Sequence, residues 1–175
     1  MPTLDPDIPD HYLFPCALFA NRQPHVVNTI LGSCISVCLY DTKLKVGGIN
    51  HFMLPFWNGD GLASPKYGNI AVQKLMERMV ALGSSKPNII AKVFGGANQM
   101  QSSLSVGERN REIAMEQLEL VNIKVVAEST GGFKGRKIQF HTGTGEVLMK
   151  FLVSQDSNKV PELDHVDNLI RNKAI

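Results

Sequence analysis

The stretch NTILGSCISVCLYD, residues 28–41, contains the strand and the turn around which the rest of the chain is interpreted. Its second half, CISVCLYD, is rich in β-branched and apolar residues and predicts a β-strand. A turn-forming pair, Gly32 and Ser33, precedes this strand directly. Because glycine lets a substrate carbonyl approach the backbone closely, Cys34 at the start of the strand is a candidate nucleophile. Cys38 and Cys16 are instead predicted to be ordinary buried thiols.

Outward from this strand, the pattern predicts the order β-β-β-α-β-α-β-β-β. The turn TKLK and the strand VGGINHFMLP follow first, and two amphipathic helices are predicted near residues 69–83 and 107–121. No G-x-G-x-x-G fingerprint accompanies the glycine pairs, which argues against a parallel dinucleotide-binding fold. We therefore expect an α+β layered sandwich of the α/β/β/α type, with mixed or antiparallel strands and helices covering the outer faces of the sheets.

The domain organisation follows from composition. Residues 1–12 are rich in proline and aspartate and are predicted to form a flexible N-terminal arm. Residues 13–153 are expected to form one domain, since this length buries a full hydrophobic core. Residues 154–175 are predicted to be a tail with a short amphipathic helix, whose apolar side holds Val166, Leu169 and Ile170.

Composition narrows the functional classes. The 175 residues carry a formal charge of only +2, and 19% of them are charged, which argues against a nucleic-acid-binding surface. No apolar run reaches the length of a membrane span, and the acidic start does not resemble a secretory signal, so we expect a cytoplasmic protein without membrane insertion. The sequence does not indicate an oligomeric state, and a monomer is the default expectation. Three cysteines in unpaired spacing fit that compartment. They do not match zinc or redox motifs, so we expect no zinc site.

A nucleophilic thiol also needs a base and donors for an oxyanion. If the TKLK turn folds two antiparallel strands back near residue 43, Cys34 lies opposite residue 51 or 52, which makes His51 the candidate base. Amides around Gly32 and Ser33 are candidate oxyanion donors. A lone cysteine or histidine in a strand is more often structural, so spacing alone leaves that alternative open.

Several segments taken together resemble the chemoreceptor glutamine deamidase family, CheD. They are LGSCISVCLYD, KVGGINHFMLP, KYG, KVFGGANQM, GERN and VVAESTGGFKGRKIQFHTGTGEVLMK. The resemblance runs from about residue 12 to 150 in the family's order. No single segment is specific, but the combination is.

The resemblance implies a catalytic set. The family hydrolyses the side-chain amide of selected glutamines in methyl-accepting chemotaxis receptors, producing glutamate and ammonia. The family nucleophile corresponds to Cys34 and the family base to His51. A mechanism with these two groups implies no metal and no organic cofactor. The third catalytic residue, a threonine shortly before the cysteine, corresponds to Thr29, although some relatives have it at the position of Asn28.

The resemblance also implies partners. A CheC-type phosphatase that acts on CheY-phosphate binds the deamidase in many species, so a regulatory binding module is the alternative function. A thiol protease or a transglutaminase would share the chemistry but would need a different cleft. Candidate contacts for substrate or partner lie in the glycine-rich loop 56–68 and near the KVFGG motif: Phe56, Trp57, Tyr67, Phe94, Gly95 and Gly96. Arg109 and Asn110 are interpreted as helix caps, and Arg136 as a solvated charge.

Overall fold

The computed structural model describes residues 4–98 and 105–153, together with the backbone of 169–172. Its strands form two five-stranded sheets. Sheet A contains, in spatial order, β1 (Asp10–Tyr12), β3 (Val26–Leu31), β8 (Arg136–His141), β9 (Val147–Phe151) and β10 (Leu169–Asn172). Sheet B contains β2 (Ala17–Ala20), β5 (Val46–His51), β4 (Ile35–Asp41), β6 (Ile89–Gly95) and β7 (Lys124–Thr130).

Both sheets are mixed. The pairs β1–β3 and β6–β7 are parallel, and the remaining pairs are antiparallel. Two helices, α1 (Gly68–Ala81) and α2 (Val106–Leu120), complete the described elements together with a short 3-10 helix at Lys86–Asn88. The α+β class and the mixed sheets predicted from the sequence are confirmed.

The central strand β4 shows how the layers are built, since all of its residues are buried. Side chains alternate between the two faces of a strand, so β4 faces two different neighbours. Ile35, Val37 and Leu39 pack with the helices in one apolar cluster. Cys38 belongs to a second cluster that fills the space between sheets A and B.

The layer order differs from the expected α/β/β/α arrangement in one respect. Both helices pack against sheet B and against each other. Within the described part of the chain, the order is therefore helices, sheet B, sheet A. The amphipathic patterns of α1 and α2 point to a sheet but not to which one, so the sequence pattern could not place both on the same face.

The helix boundaries lie close to the predicted ones, with different caps. Ser105 accepts a hydrogen bond from the Glu108 amide at the start of α2. Helix α1 begins after Tyr67, which makes no side-chain capping hydrogen bond, and the Asn69 side chain accepts from the Trp57 amide. Three strands precede the first helix in the predicted order, whereas the structure has five, β1 to β5.

The two terminal segments contain strands. Part of the predicted flexible arm, Asp10–Tyr12, pairs with Val26–Asn28 as β1. The predicted tail helix falls largely outside the described residues. Where the tail is described, Leu169–Asn172 is a strand paired with β9 and not a helix. The proposed domain limits stay a prediction.

Candidate active site

The pairing of β4 and β5 determines where Cys34 and His51 lie. Ile35 and Phe52 form an antiparallel bridge in which each amide donates to the other's carbonyl, at 3.1 and 3.0 Å. Further along, Cys38 pairs with Ile49. Counting along this register puts Cys34 one position beyond the bridge, on the same inter-sheet face as His51, as a diagonal neighbour. Such neighbours have Cα atoms about 7–8 Å apart.

The predicted pairing is therefore wrong by about one residue, although the predicted shared face is correct. The difference originates in the hairpin turn. Asp41 pairs with Val46, and the Lys45 amide donates to the Asp41 carbonyl at 2.9 Å, so the fold-back lies slightly beyond residue 43. Cys34 nevertheless packs against the inter-sheet cluster and remains partly exposed.

His51 is 2% exposed and contacts a residue of the other sheet. Its Nδ1 lies 2.8 Å from the hydroxyl oxygen of Thr29 on β3. The same hydroxyl donates its proton to the Leu13 carbonyl at 2.8 Å. A hydroxyl has one proton to donate, so toward His51 it acts as an acceptor. This fixes the Nδ1–H tautomer of His51 and leaves Nε2 with a free lone pair.

The structure distinguishes the two residues left open for the third position. Thr29 is 1% exposed and points between the sheets, since it alternates with residues on the opposite face of β3. Asn28 points the other way and donates from its side chain to Asp10 at 3.1 Å. Only Thr29, of these two, contacts His51.

Burial shifts both candidate catalytic groups toward their neutral forms. It lowers the pKa of His51 to about 4. It also raises the pKa of the Cys34 thiol, as does the nearby Cys16 thiol, while the Cys34 backbone amide partly lowers it. At neutral pH the resting site therefore contains a neutral thiol and a neutral imidazole.

The backbone around the thiol is held by three carbonyl contacts. The Gly32 carbonyl accepts from the Ala97 amide at 2.8 Å, and the Cys34 carbonyl accepts from the Gly96 amide at 2.8 Å. Between them, the Ser33 carbonyl accepts from the Asn110 side chain at 2.9 Å. A trans peptide directs its N–H opposite to its carbonyl, so the amides of Ser33 and Cys34 face away from these contacts. Within the described residues, neither amide donates to another residue's carbonyl.

The KVFGG motif packs against the loop that contains Cys34. Gly95 has a φ of 114°, and a Cβ there would collide with the Cys34 carbonyl oxygen. Phe94 is 0% exposed and packs in the inter-sheet cluster. Phe94, Gly95 and Gly96 are all buried and pack beneath the Cys34 loop, and Gly96 also lines a pocket with Asn98 and Gly131. Their contact with a substrate or partner stays a prediction.

The loop before α1 is closed by a bridge between its ends and contains an internal hydrogen bond. Tyr67 bridges Leu54, and the Trp57 indole donates to the Asp60 carbonyl at 2.9 Å. Phe56 is 56% exposed, whereas Trp57 and Tyr67 are partly buried. These three aromatic residues stay candidates for substrate or partner contact.

Two residues near the site have roles that the sequence did not indicate. Arg136, expected to be solvated, is 3% exposed, and its guanidinium donates to the carbonyls of Gly95, Gly131 and Lys134. Asn110 is 0% exposed and joins two loops instead of capping a helix. One signal could have identified Asn110, because it is a polar residue on the otherwise apolar, core-facing side of α2.

No group of three or more potential metal-ligating side chains occurs among the residues that the structure describes. In the same described residues, no helix combines the length and apolarity needed to cross a membrane.

Comparison with known proteins gives consistent matches. The family model CheD chemotactic sensory transduction matches residues 53–151. A protein of Trichlorobacter lovleyi is 51% identical over 142 residues, which is 79% of this chain and 88% of that protein. A protein of Sulfurimonas denitrificans is 47% identical over 145 residues, covering 81% and 93%. A Rhodospirillum rubrum protein is 41% identical over 150 residues, covering 84% and 85%. All three are named Probable chemoreceptor glutamine deamidase CheD.

Proposed function

The chain belongs to the CheD family, and on that premise we propose that it is a chemoreceptor glutamine deamidase. The reaction hydrolyses the side-chain amide of glutamines in methyl-accepting chemotaxis receptors to glutamate and ammonia. One observation carries the assignment of residues. Thr29 accepts from Nδ1 of His51, which leaves the Nε2 lone pair available on the face that also holds Cys34.

The first half of the reaction forms a thioester. Nε2 of His51 takes the proton of the Cys34 thiol as the sulfur attacks the glutamine carboxamide carbon. The opposed pKa shifts favour this concerted transfer over a preformed ion pair. The carbonyl oxygen gains negative charge. The amides of Ser33 and Cys34, which face away from the carbonyl contacts of this loop, are proposed to stabilise that charge.

The second half releases both products. Protonated His51 gives its proton to the departing nitrogen, so the C–N bond breaks and ammonia leaves. Water then attacks the thioester carbon with His51 as base, and glutamate is released as the Cys34 thiol re-forms. Thr29 holds the imidazole in one tautomer and orientation through both steps, which is the role of the third group in other triads. No metal or organic cofactor enters the scheme.

Phe56, Trp57 and Tyr67, on the loop before α1, are proposed to contact the receptor segment that presents the glutamine. Aromatic side chains supply large contact areas at low entropic cost, and Phe56 is largely exposed. We place the protein in the cytoplasm as a monomer. Its three cysteines are free, and a reducing compartment keeps the nucleophilic thiol reduced.

The test uses the full chain and a glutamine-bearing receptor fragment. Mass spectrometry should detect a gain of about one dalton per converted glutamine, since an amide becomes an acid. Cys34→Ala and His51→Ala should each abolish conversion, because removing either the nucleophile or its base stops the same reaction step. Cys38→Ala is the matched control, since its thiol lies in the inter-sheet core.

Two results would contradict the assignment. Full conversion by Cys34→Ala excludes the thioester route. Absence of conversion by the wild-type chain, together with binding and stimulation of a CheC-type phosphatase, would favour the regulatory binding module instead.

A further inference from the structure

Asn110 connects the two segments that carry the proposed nucleophile and base. It lies on α2, is 0% exposed, and faces the core on the same side of the helix as Ala114 and Leu118. Its side-chain nitrogen donates to the Ser33 carbonyl and to the Met53 carbonyl, both at 2.9 Å. A buried amide that uses both of its N–H groups on two separate loops is expensive to replace with an apolar side chain, because both carbonyls would lose their donor.

The two carbonyls belong to functionally important positions. Ser33 immediately precedes Cys34, and Met53 follows His51 by two residues. Fixing the Ser33 carbonyl also fixes the Cys34 N–H, because the two groups share one planar peptide and point in opposite directions. The orientation of this donor toward the thiol side therefore depends on Asn110.

Among the residues that the structure describes, three groups hold the carbonyls of this loop, and Asn110 provides the one side chain. The carbonyls on either side, those of Gly32 and Cys34, accept from the backbone amides of Ala97 and Gly96. A substitution at Asn110 thus releases the middle peptide and leaves the flanking contacts in place.

We propose that Asn110 is a positioning residue for the deamidation, which fixes the Ser33–Cys34 peptide so that the Cys34 amide faces the developing oxyanion. This inference rests on the proposed role of Cys34 as nucleophile. Asn110 does not touch the substrate; it acts through the peptide that does. Its loss should slow steps that pass through an oxyanion and spare reactions of the thiol that do not.

The test compares two reactions of the Cys34 thiol in Asn110→Asp and Asn110→Ala. The first reaction is acylation by p-nitrophenyl acetate, in which His51 takes the thiol proton, a C–S bond forms, the ester C–O bond breaks and p-nitrophenolate leaves. It passes through a tetrahedral oxyanion. The second is alkylation by iodoacetamide, a displacement of iodide with no oxyanion. The rate in Cys34→Ala is subtracted from each, which removes the contribution of Cys16.

We expect acylation to fall about tenfold or more in both variants, the order expected when an oxyanion donor is misdirected. Alkylation should match the wild type. With a receptor fragment, kcat should fall while KM is unchanged, since only a transition-state contact is lost. Asn122→Asp is the matched control: it adds the same charge at an exposed turn and should leave both rates unchanged.

Unchanged acylation overturns the proposal, and so does a parallel loss of both reactions, which would indicate a general collapse of the site. Failure of both variants to fold assigns Asn110 to stability alone and overturns it as well. A different result would contradict the proposed deamidation alone. If the wild-type protein converts no receptor glutamine while acylation still depends on Asn110, the substrate assignment is wrong and the positioning role of Asn110 remains supported.

Discussion

Thr29 on sheet A and His51 on sheet B are joined by a 2.8 Å hydrogen bond across the space between the sheets. Because the Thr29 hydroxyl donates to Leu13, this bond selects one tautomer of His51. The protonation geometry of the site is thus a product of how the two sheets pack.

Thr29→Val should retain the fold and lose most of the activity. Valine has the same shape and suits a β-strand, but it removes the acceptor for His51 and the donor for Leu13. We expect kcat to fall about tenfold or more, a part of what general acid–base catalysis supplies. Receptor-fragment kinetics measure this, and Thr29→Ser should restore activity because it keeps the hydroxyl. A Thr29→Val enzyme with wild-type kcat would exclude the orienting role.

Stability should fall as the pH decreases from about 6.5 to about 4. The pKa of His51 is near 4 in the folded protein and 6.5 in its ordinary state, so in this window the unfolded chain binds the proton first. The free energy of unfolding then falls by at most about 1.4 kcal/mol per pH unit from this group. Denaturant unfolding across the window measures the slope.

The control for this dependence of stability on pH is His51→Gln, because a glutamine side chain does not titrate. Its dependence on pH should be shallower than that of the wild type, since other titrating groups are common to both proteins. Identical slopes would show that His51 is not kept neutral by burial.

Gly95→Ala should destabilise the protein by about 2 kcal/mol or more, because it combines a left-handed φ with a collision against the Cys34 carbonyl. Gly59→Ala is the control that measures the effect of the left-handed φ without the collision. Gly59 has a similar φ of 103°, but a Cβ there would meet nothing within 4 Å. Thermal unfolding of both variants measures the difference, and equal losses would mean that the collision is relieved without cost.

Arg136→Met should destabilise the protein by about 3 kcal/mol, since buried carbonyls that accept from the guanidinium lose their donor. The neighbouring Lys137→Met removes the same charge from a partly exposed side chain and should change stability little. Denaturant midpoints compare the two variants. A small effect at Arg136 would indicate that water replaces it in these contacts.

Much of the fold was accessible from the chain alone. Alternating and 3.6-residue patterns predicted both helices and most of the strands, because burial of one face imposes those periods. The order of motifs predicted the family, and the spacing across a short turn predicted that Cys34 and His51 share a face. The predicted pairing was off by about one residue, since a turn's closure depends on backbone geometry that composition does not specify.

Other features of the candidate site could be determined only from the tertiary structure. The sequence alone predicted both helices, most of the strands, the candidate thiol and imidazole, and either Thr29 or Asn28 as the third residue. Only the packing of sheet A on sheet B selected Thr29, and only the docking of α2 brought Asn110 to the Ser33 carbonyl. The physical reason is that local patterns encode which side of an element is buried, whereas the contacts that set a proton or a peptide plane join residues from separate elements.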